Sequence, residues 1–419
     1  MLNIKFDFKK LLLLLAIMLA IAVFVFILWR LFGPAPTDTT LTTDTGNLVI
    51  DPVTGLPISN LSDGGQVVTS GDDLPTAEDT ITGATGDFLI DDLIETEVIR
   101  DNKISSATNH RVVDPTIGQD GSSVQYYNPL DGYFYRLNAQ GEAELLSDQK
   151  FNQVRQVAWS PQQDKAVLYY PDGIKTIYDF QTDTQVTLPG YWDEFAWSPN
   201  GQQLAFKSLG YDAANRWLAT MNSDGTGSQK IEKIGNNAEH VIVNWSPNNQ
   251  IMATLDEGLD LNRKTVYLIG FNGENFKAIT TQGRGFEYQW SPQGTTMLFS
   301  TYSDVNEYKP MLWRVDAQGD NIGNNLVPLG LETWSEKCTF TSNNEAYCAV
   351  PQTLERGAGL FPQTAKNTAD DLYRVNLDSG TKVLLDSTSY NMQNLMVTSD
   401  QSSLYFTDSF TGRLHKIAL

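Results

Sequence analysis

Trp197-Ser198-Pro199-Asn200-Gly201-Gln202-Gln203-Leu204-Ala205-Phe206 is the stretch that decides the fold. Just before it, Phe195-Ala196-Trp197 alternates large and small apolar residues, the pattern of a half-buried strand. Pro199 pre-sets φ for the second turn position and cannot donate to a ladder, so the strand ends there. Asn200-Gly201 tolerates the tight reversal, and Gln203 to Phe206 returns as a second strand. The stretch is therefore an antiparallel hairpin. The letters Trp-Ser-Pro recur at 159–161, 245–247 and 290–292, giving separations of 38, 48 and 45 residues. That period belongs to a propeller blade and not to an array of helical hairpins.

Each copy leads into further strands. Arg216 to Met221 and Met311 to Val315 read as third strands, closed by the polar turns Asn222-Ser223-Asp224-Gly225-Thr226 and Asp316-Ala317-Gln318-Gly319. A short run such as Lys277-Ala278-Ile279-Thr280 ends the repeat. Weaker copies extend the array. Cys338 to Ser342 has Phe340 for Trp, Leu395 to Asp400 has Val397, and Arg111-Val112-Val113-Asp114-Pro115 keeps only the Pro. Taking 113, 159, 197, 245, 290, 340 and 397 as equivalent gives seven repeats, an all-β propeller of seven four-stranded blades. Because the flanking copies are degenerate, six or eight blades also fit. The last repeat supplies three strands before the chain stops. Leu93 to Ile99, which alternates apolar residues, is expected to complete that blade and so protect an open sheet edge.

The Trp-Ser-Pro-x-Gly hairpin followed by an Asp-Gly turn resembles the TolB-type propeller repeat, a cousin of the WD repeat. The resemblance covers roughly residues 88–419, taken as one propeller domain. It implies the fold, and it implies protein–protein contacts in the cell envelope. It implies no particular reaction, since this fold hosts scaffolds, binding modules and enzymes. The acidic residue usual in the family's turn is replaced here by Gln162, Asn200, Asn248 and Gln293.

Leu11 to Trp29 are 19 consecutive apolar residues. As a helix they would span about 29 Å, enough for a bilayer core. Lys5, Lys9 and Lys10 precede them, and after Arg30 no base occurs until Arg100. The excess of positive charge before the segment predicts a single-pass anchor in the cytoplasmic (plasma) membrane. Residues 1–10 would form a cytoplasmic tail, 11–30 a transmembrane α-helix, and everything beyond would lie outside. A cleaved signal peptide is the alternative, although the run is long for one. Residues 31–87 are rich in Thr, Asp, Gly and Pro, and 31–99 hold thirteen acids and no base. Such a stretch reads as a disordered, self-repelling spacer. Its Asp clusters lack the ligand spacing of a calcium loop.

The net charge is −21, and from Arg111 onward 23 bases face 35 acids. No basic footprint for nucleic acid is present. The only cysteines, Cys338 and Cys348, fall opposite one another on one hairpin centred near Asn343. Outside the cytoplasm a disulfide is the natural expectation, with two buried thiols as the alternative.

Catalytic signals are weak. His110, His240 and His415 are scattered, no phosphate loop or nucleophile elbow occurs, and no metal or other cofactor is expected. Ser147-Asp148-Gln149-Lys150 spells Ser-x-x-Lys without its partner motifs. The carboxylate pairs Asp193-Glu194, Asp256-Glu257 and Asp370-Asp371 read as loop charges. The aromatics between Tyr126 and Tyr170 read as packing between blades. Tyr191-Trp192, in a polar turn, is the exception and a candidate contact surface. Three segments lengthen the repeat: Asp256 to Lys264, Tyr302 to Pro310 and Pro351 to Ala369. The last carries Leu360-Phe361 and is the candidate interaction element, because long loops on rigid scaffolds commonly carry function. The reading is a membrane-anchored, non-enzymatic binding or scaffold module with a protein or envelope partner. The alternative is a propeller enzyme or glycan binder that uses the funnel of the central channel.

Overall fold

The computed structural model describes residues 104–419. The anchor, the spacer and the 93–99 segment lie outside the described residues. Among those described, 28 strands form seven four-stranded antiparallel sheets, and there is no α-helix. Blade 1 holds β2 (Val113–Ile117), β3 (Val124–Asn128), β4 (Tyr133–Leu137) and β5 (Ala143–Leu145). Blade 2 holds β6 (Gln156–Trp159), β7 (Lys165–Tyr169), β8 (Lys175–Asp179) and β9 (Thr184–Leu188). Blade 3 holds β10 (Trp192–Trp197), β11 (Gln203–Leu209), β12 (Arg216–Asn222) and β13 (Gln229–Lys233). Blade 4 holds β14 (Val241–Val243), β15 (Ile251–Gly258), β16 (Arg263–Gly270) and β17 (Ile279–Gln282). Blade 5 holds β18 (Arg284–Trp290), β19 (Thr296–Tyr302), β20 (Pro310–Asp316) and β21 (Val327–Pro328). Blade 6 holds β22 (Cys338–Ser342), β23 (Glu345–Pro351), β24 (Asp370–Asn376) and β25 (Lys382–Ser387). Blade 7 holds β26 (Met392–Val397), β27 (Ser403–Asp408), β28 (Arg413–Ala418) and, as its fourth strand, β1 (Ser105–Arg111).

The ring therefore closes by a strand from the N-terminal side, but that strand is Ser105–Arg111 and not the expected 93–99. The reason is physical. A fourth strand lies on the outer wall, where neither face needs to be apolar, and of β1 only Thr108 is buried. Apolar alternation is the wrong criterion for such a strand. β1 also leads directly into β2 of blade 1 through the single residue Val112.

Burial is greatest in the second or third strand of each blade. β3 and β27 are buried along their whole length, whereas β5 and β21 are exposed throughout. The cores lie between neighbouring sheets. Ile251, Val266 and Leu268 of blade 4 pack against Phe286, Trp290 and Phe299 of blade 5. Phe134 of blade 1 meets Trp159 and Phe180 of blade 2 edge-on, so these aromatics do pack between blades.

The Trp-Ser-Pro letters have separate jobs in this arrangement. The indole of Trp159 donates to the carbonyl of Asp114, that of Trp197 to Ala158, and that of Trp290 to Asn244, at 2.7, 2.8 and 3.1 Å. Each bond ties one inner strand to the chain of an earlier blade at its inner end. The Ser hydroxyl accepts the amide five residues on, as in Gln203 to Ser198 and Ile251 to Ser246, both at 2.9 Å, and so closes the hairpin. Thr398 does the same for Ser403 in blade 7. Gly201 and Gly294 sit at φ of 65° and 67°, a left-handed conformation that glycine adopts without strain. In blade 6, Cys338 and Cys348 are register partners and are joined by a disulfide.

Candidate functional site

Alternation of strand direction gives the ring two faces. One is built from the hairpin turns after first strands and after third strands. The other is built from the loops between second and third strands, together with the connections between blades. Large apolar side chains exposed to solvent divide unevenly between them. Blades 1 to 3 present Leu130, Ile174 and Tyr211 in their second-to-third loops. Blade 4 presents Leu259 and Leu261, blade 5 Val305, blade 6 Leu360 and Phe361, and blade 7 Phe410. Tyr191 joins the same face from a blade connection. Tyr211, Val305 and Phe410 are 99 %, 91 % and 84 % exposed. The remaining exposed large apolar residues lie on third and fourth strands at the outer wall, and none of those described lies in a turn of the opposite face. A scattered exposed Leu is ordinary, but one or more such residues in every second-to-third loop is a patterned surface.

The longest of these loops is held in place from several sides. Within residues 352–369, Ala358 and Ala365 bury with Trp334. The amides of Gly357 and Gly359 donate to the carbonyls of Glu307 and Tyr308 in the blade 5 loop, both at 2.8 Å. The Asn391 side chain donates to the carbonyls of Ala365 and Thr368 at 2.9 and 2.7 Å. Beneath them Lys337 meets Asp370 at 2.7 Å, with the two side chains only 6 % and 0 % exposed. Asp370 also accepts the amide of Met392 at 2.6 Å. Burial pushes the Asp370 carboxyl up and the Lys337 ammonium down, and each partner's charge opposes that shift. Leu360 and Phe361 thus stand on a braced platform.

The other candidate residues fall as follows. Tyr191 is exposed, while Trp192 turns inward and lies 4.3 Å, centroid to centroid, from Phe206. Four of the six paired carboxylates are tied to bases, Asp193 to Lys175, Glu194 to Lys207, Asp256 to Lys264 and to His240, and Asp370 to Lys337, while Asp371 accepts from the Gln352 amide and the Ser387 hydroxyl and Glu257 forms no ion pair with a described base. Ser147 bonds to the Tyr178 hydroxyl at 2.7 Å and to Asp183, so it fastens blade 1 to blade 2. Among the described residues, no group of three or more His, Cys, Asp and Glu side chains is placed to share a metal ion. The pattern of exposed apolar residues escaped sequence reading, because its members come from loops far apart in the chain. The sequence did carry one signal of it: all three insertions that lengthen the repeat are second-to-third loops on this face.

No protein-family model matches the chain, and no curated protein matches it. Solved structures do. An oligogalacturonate lyase in complex with manganese is 14 % identical with a TM-score of 0.52, and the match covers 76 % of this chain and 93 % of that one. The propeller domain of Cps50 (Swd1) from Myceliophteria thermophila is 10 % identical with a TM-score of 0.50, covering 76 % of this chain and all of that domain. The chain is a seven-bladed propeller. At these identities the likeness is one of fold alone.

Proposed function

We propose that the protein is a non-enzymatic docking module of the cell envelope. In this reading the apolar segment 11–29 anchors it in the membrane, and the propeller engages a protein partner outside. One observation carries the proposal: every blade presents a large exposed apolar residue on the same face. Such side chains are hydrated when the protein is alone, and burial against a partner releases about 25 cal/mol per Å² of apolar surface. The braced 352–369 loop fits the same role, because a rigid contact element loses little conformational freedom on binding. The repeat's resemblance to the TolB type points to the envelope, and the spacer gives the propeller reach from the anchor.

The test is site-specific photocrosslinking in the cells that make the protein. A crosslinker in place of Phe361 or Leu261 should capture a discrete protein, and one in place of Val186, on the outer wall, should not. Equal capture at all three positions, or none at the first two, would refute the docking reading.

A further inference from the structure

Lys337, Asp370 and Asn391 make up a buried triad whose chemistry exceeds that of an ion pair. They stand at or just before the starts of β22, β24 and β26, so strands of two blades deliver them to one point. Lys337 Nζ lies 2.7 and 2.9 Å from the two Asp370 carboxylate oxygens and 3.4 Å from Asn391 Oδ1. The Asn391 amide nitrogen donates to the Ala365 and Thr368 carbonyls, which fixes the amide with its oxygen toward the lysine. Lys337, Asp370 and Asn391 are only 5 %, 0 % and 7 % exposed, so bulk water is kept from all three. The other charges felt by the pair are Glu336, which is exposed, and Asp371, which accepts from the Gln352 amide and the Ser387 hydroxyl.

An amine, a carboxyl and a primary amide held together away from water are the parts needed to exchange one amide for another. Burial pushes the ammonium down and the carboxyl up, so it lowers the cost of moving one proton from Lys337 to Asp370. The amine released in this way is a nucleophile already placed against the Asn391 side chain.

We propose that Lys337 and Asn391 join in an intramolecular isopeptide bond, with Asp370 as the proton carrier. Asp370 takes one proton from Nζ. The freed lone pair attacks Asn391 Cγ, and a Cγ–Nζ bond forms. Asp370 returns its proton to Nδ2, the Cγ–Nδ2 bond breaks, and ammonia leaves. Asp370 then takes the second Nζ proton, so a neutral secondary amide is left beside a neutral carboxylic acid. Atoms and charge balance without a co-reactant. The electrophile is Asn391 and not Asp370, because a carboxylate accepts a nucleophile poorly, and its use would leave no other described acid bonded to the lysine to carry protons. Two buried charges disappear in the product and ammonia escapes to solvent, which drives the step one way. The bond closes a covalent loop around the whole of blade 6, the blade whose first hairpin lacks Trp and Pro and already holds the disulfide. Removing Lys337 or Asp370 removes this bond together with the ion pair. The inference goes beyond the docking reading and stands without it.

The test is a peptide map of the full chain, purified in detergent, unfolded, reduced, alkylated and cut with trypsin. Lys337 and Asn391 fall in the segments 315–356 and 383–413, and Asp370 falls in 367–374. Cleavage after Lys337 should be blocked. Segments 315–356 and 383–413 should run as one species, lighter than their sum by one ammonia. Separate peptides at their encoded masses, with cleavage after Lys337, would overturn the inference. A species that joins 315–356 to 367–374 and is lighter by one water would put the bond on Asp370 and overturn it as well. Lys337→Arg keeps the charge without the amine, and Asn391→Ala removes the electrophile, so both should give separate peptides. Asp370→Asn should slow the proton transfers by about a hundredfold and leave most chains unlinked. Full linkage in that variant would refute the role given to Asp370. The map of the unsubstituted chain decides the bond by itself, whatever the substitutions do to stability.

Discussion

Asp370→Asn tests whether the buried node under the blade 6 loop organises that part of the ring. The carboxylate takes the Lys337 ammonium at 2.7 Å and the Met392 amide at 2.6 Å, and Lys337 is also within 3.4 Å of the Asn391 side-chain oxygen. These contacts join the blade 5–6 connection, the start of β24, the blade 6–7 connection and the 352–369 loop. An asparagine keeps the shape but leaves a buried ammonium facing a neutral group. Removing one partner of a buried pair costs about 3–5 kcal/mol, because the survivor is desolvated without compensation. Lys337→Met should cost a similar amount for the mirror-image reason. The double variant removes both charges, so its loss should fall short of the sum of the single losses by about 2–3 kcal/mol. Urea unfolding followed by tryptophan fluorescence measures all three. Single losses below about 1 kcal/mol, or a strictly additive cycle, would refute the view that Asp370 and Lys337 depend on each other.

Other predictions concern the ring itself. Trp197→Phe and Trp290→Phe each remove an indole donor bonded to an earlier blade, whereas the buried Trp245 indole N–H has no partner. The first two should therefore cost about 1 kcal/mol more than Trp245→Phe in the same urea assay. Thiol labelling in denaturant should find no free cysteine until reductant is added, and Cys338→Ser with Cys348→Ser should lower stability by about 2–3 kcal/mol. Deleting 105–111 bares the outer edge of β28 and should lower the melting temperature sharply, while deleting 88–100 should leave it nearly unchanged. The Asp400 carboxyl is held down to about 2, first by the Thr398 hydroxyl and then by the Ser402 amide and hydroxyl. A folded pKa below the unfolded one gives stability that is present above about pH 4 and is lost as pH falls toward 2. Asp400→Asn should flatten the acid side of the melting curve, and an unchanged acid slope would argue against this.

Trp159, Trp197, Trp245 and Trp290 made the ring legible because the Ser after each closes its hairpin by the same bond, and three of the four indoles also bond to an earlier blade, so chemistry repeats where structure repeats. Even the degenerate copies fell at inner strands: Val113, Phe340 and Val397 lie in β2, β22 and β26. The closing strand was not legible, since Ser105–Arg111 is polar on an outer wall that asks nothing apolar of it. Asp193, Glu194, Asp256 and Asp370 read as loop charges because the bases that hold them reach them through the folded arrangement of strands and loops, from across a hairpin for Lys264 and from a blade connection for Lys337. Trp192 and Tyr191 are adjacent letters with opposite fates, one packed on Phe206 and one exposed, and only the start of β10 between them decides it.

The two faces of the ring are under different constraints, and this explains where the apolar loop tips are found. On the hairpin-turn face, the Ser198 hydroxyl must meet the Gln203 amide five residues on, while the Trp197 indole must reach Ala158 in the preceding blade. An insertion there would part the hairpin and loosen the contact between blades together. A second-to-third loop can bond an inner strand, as Leu261 does by accepting from the Arg284 side chain of β18, but no Ser-to-amide closure or indole bond fixes its length, so lengthening it costs mainly loop-closure entropy, which grows slowly with length. Blade 6 shows the limit: its loop runs from 352 to 369, and the disulfide between Cys338 and Cys348 fastens the very hairpin that has lost Trp and Pro. The face free of turn chemistry is the face free to acquire contacts, and it is there that Tyr211, Val305, Phe361 and Phe410 stand exposed.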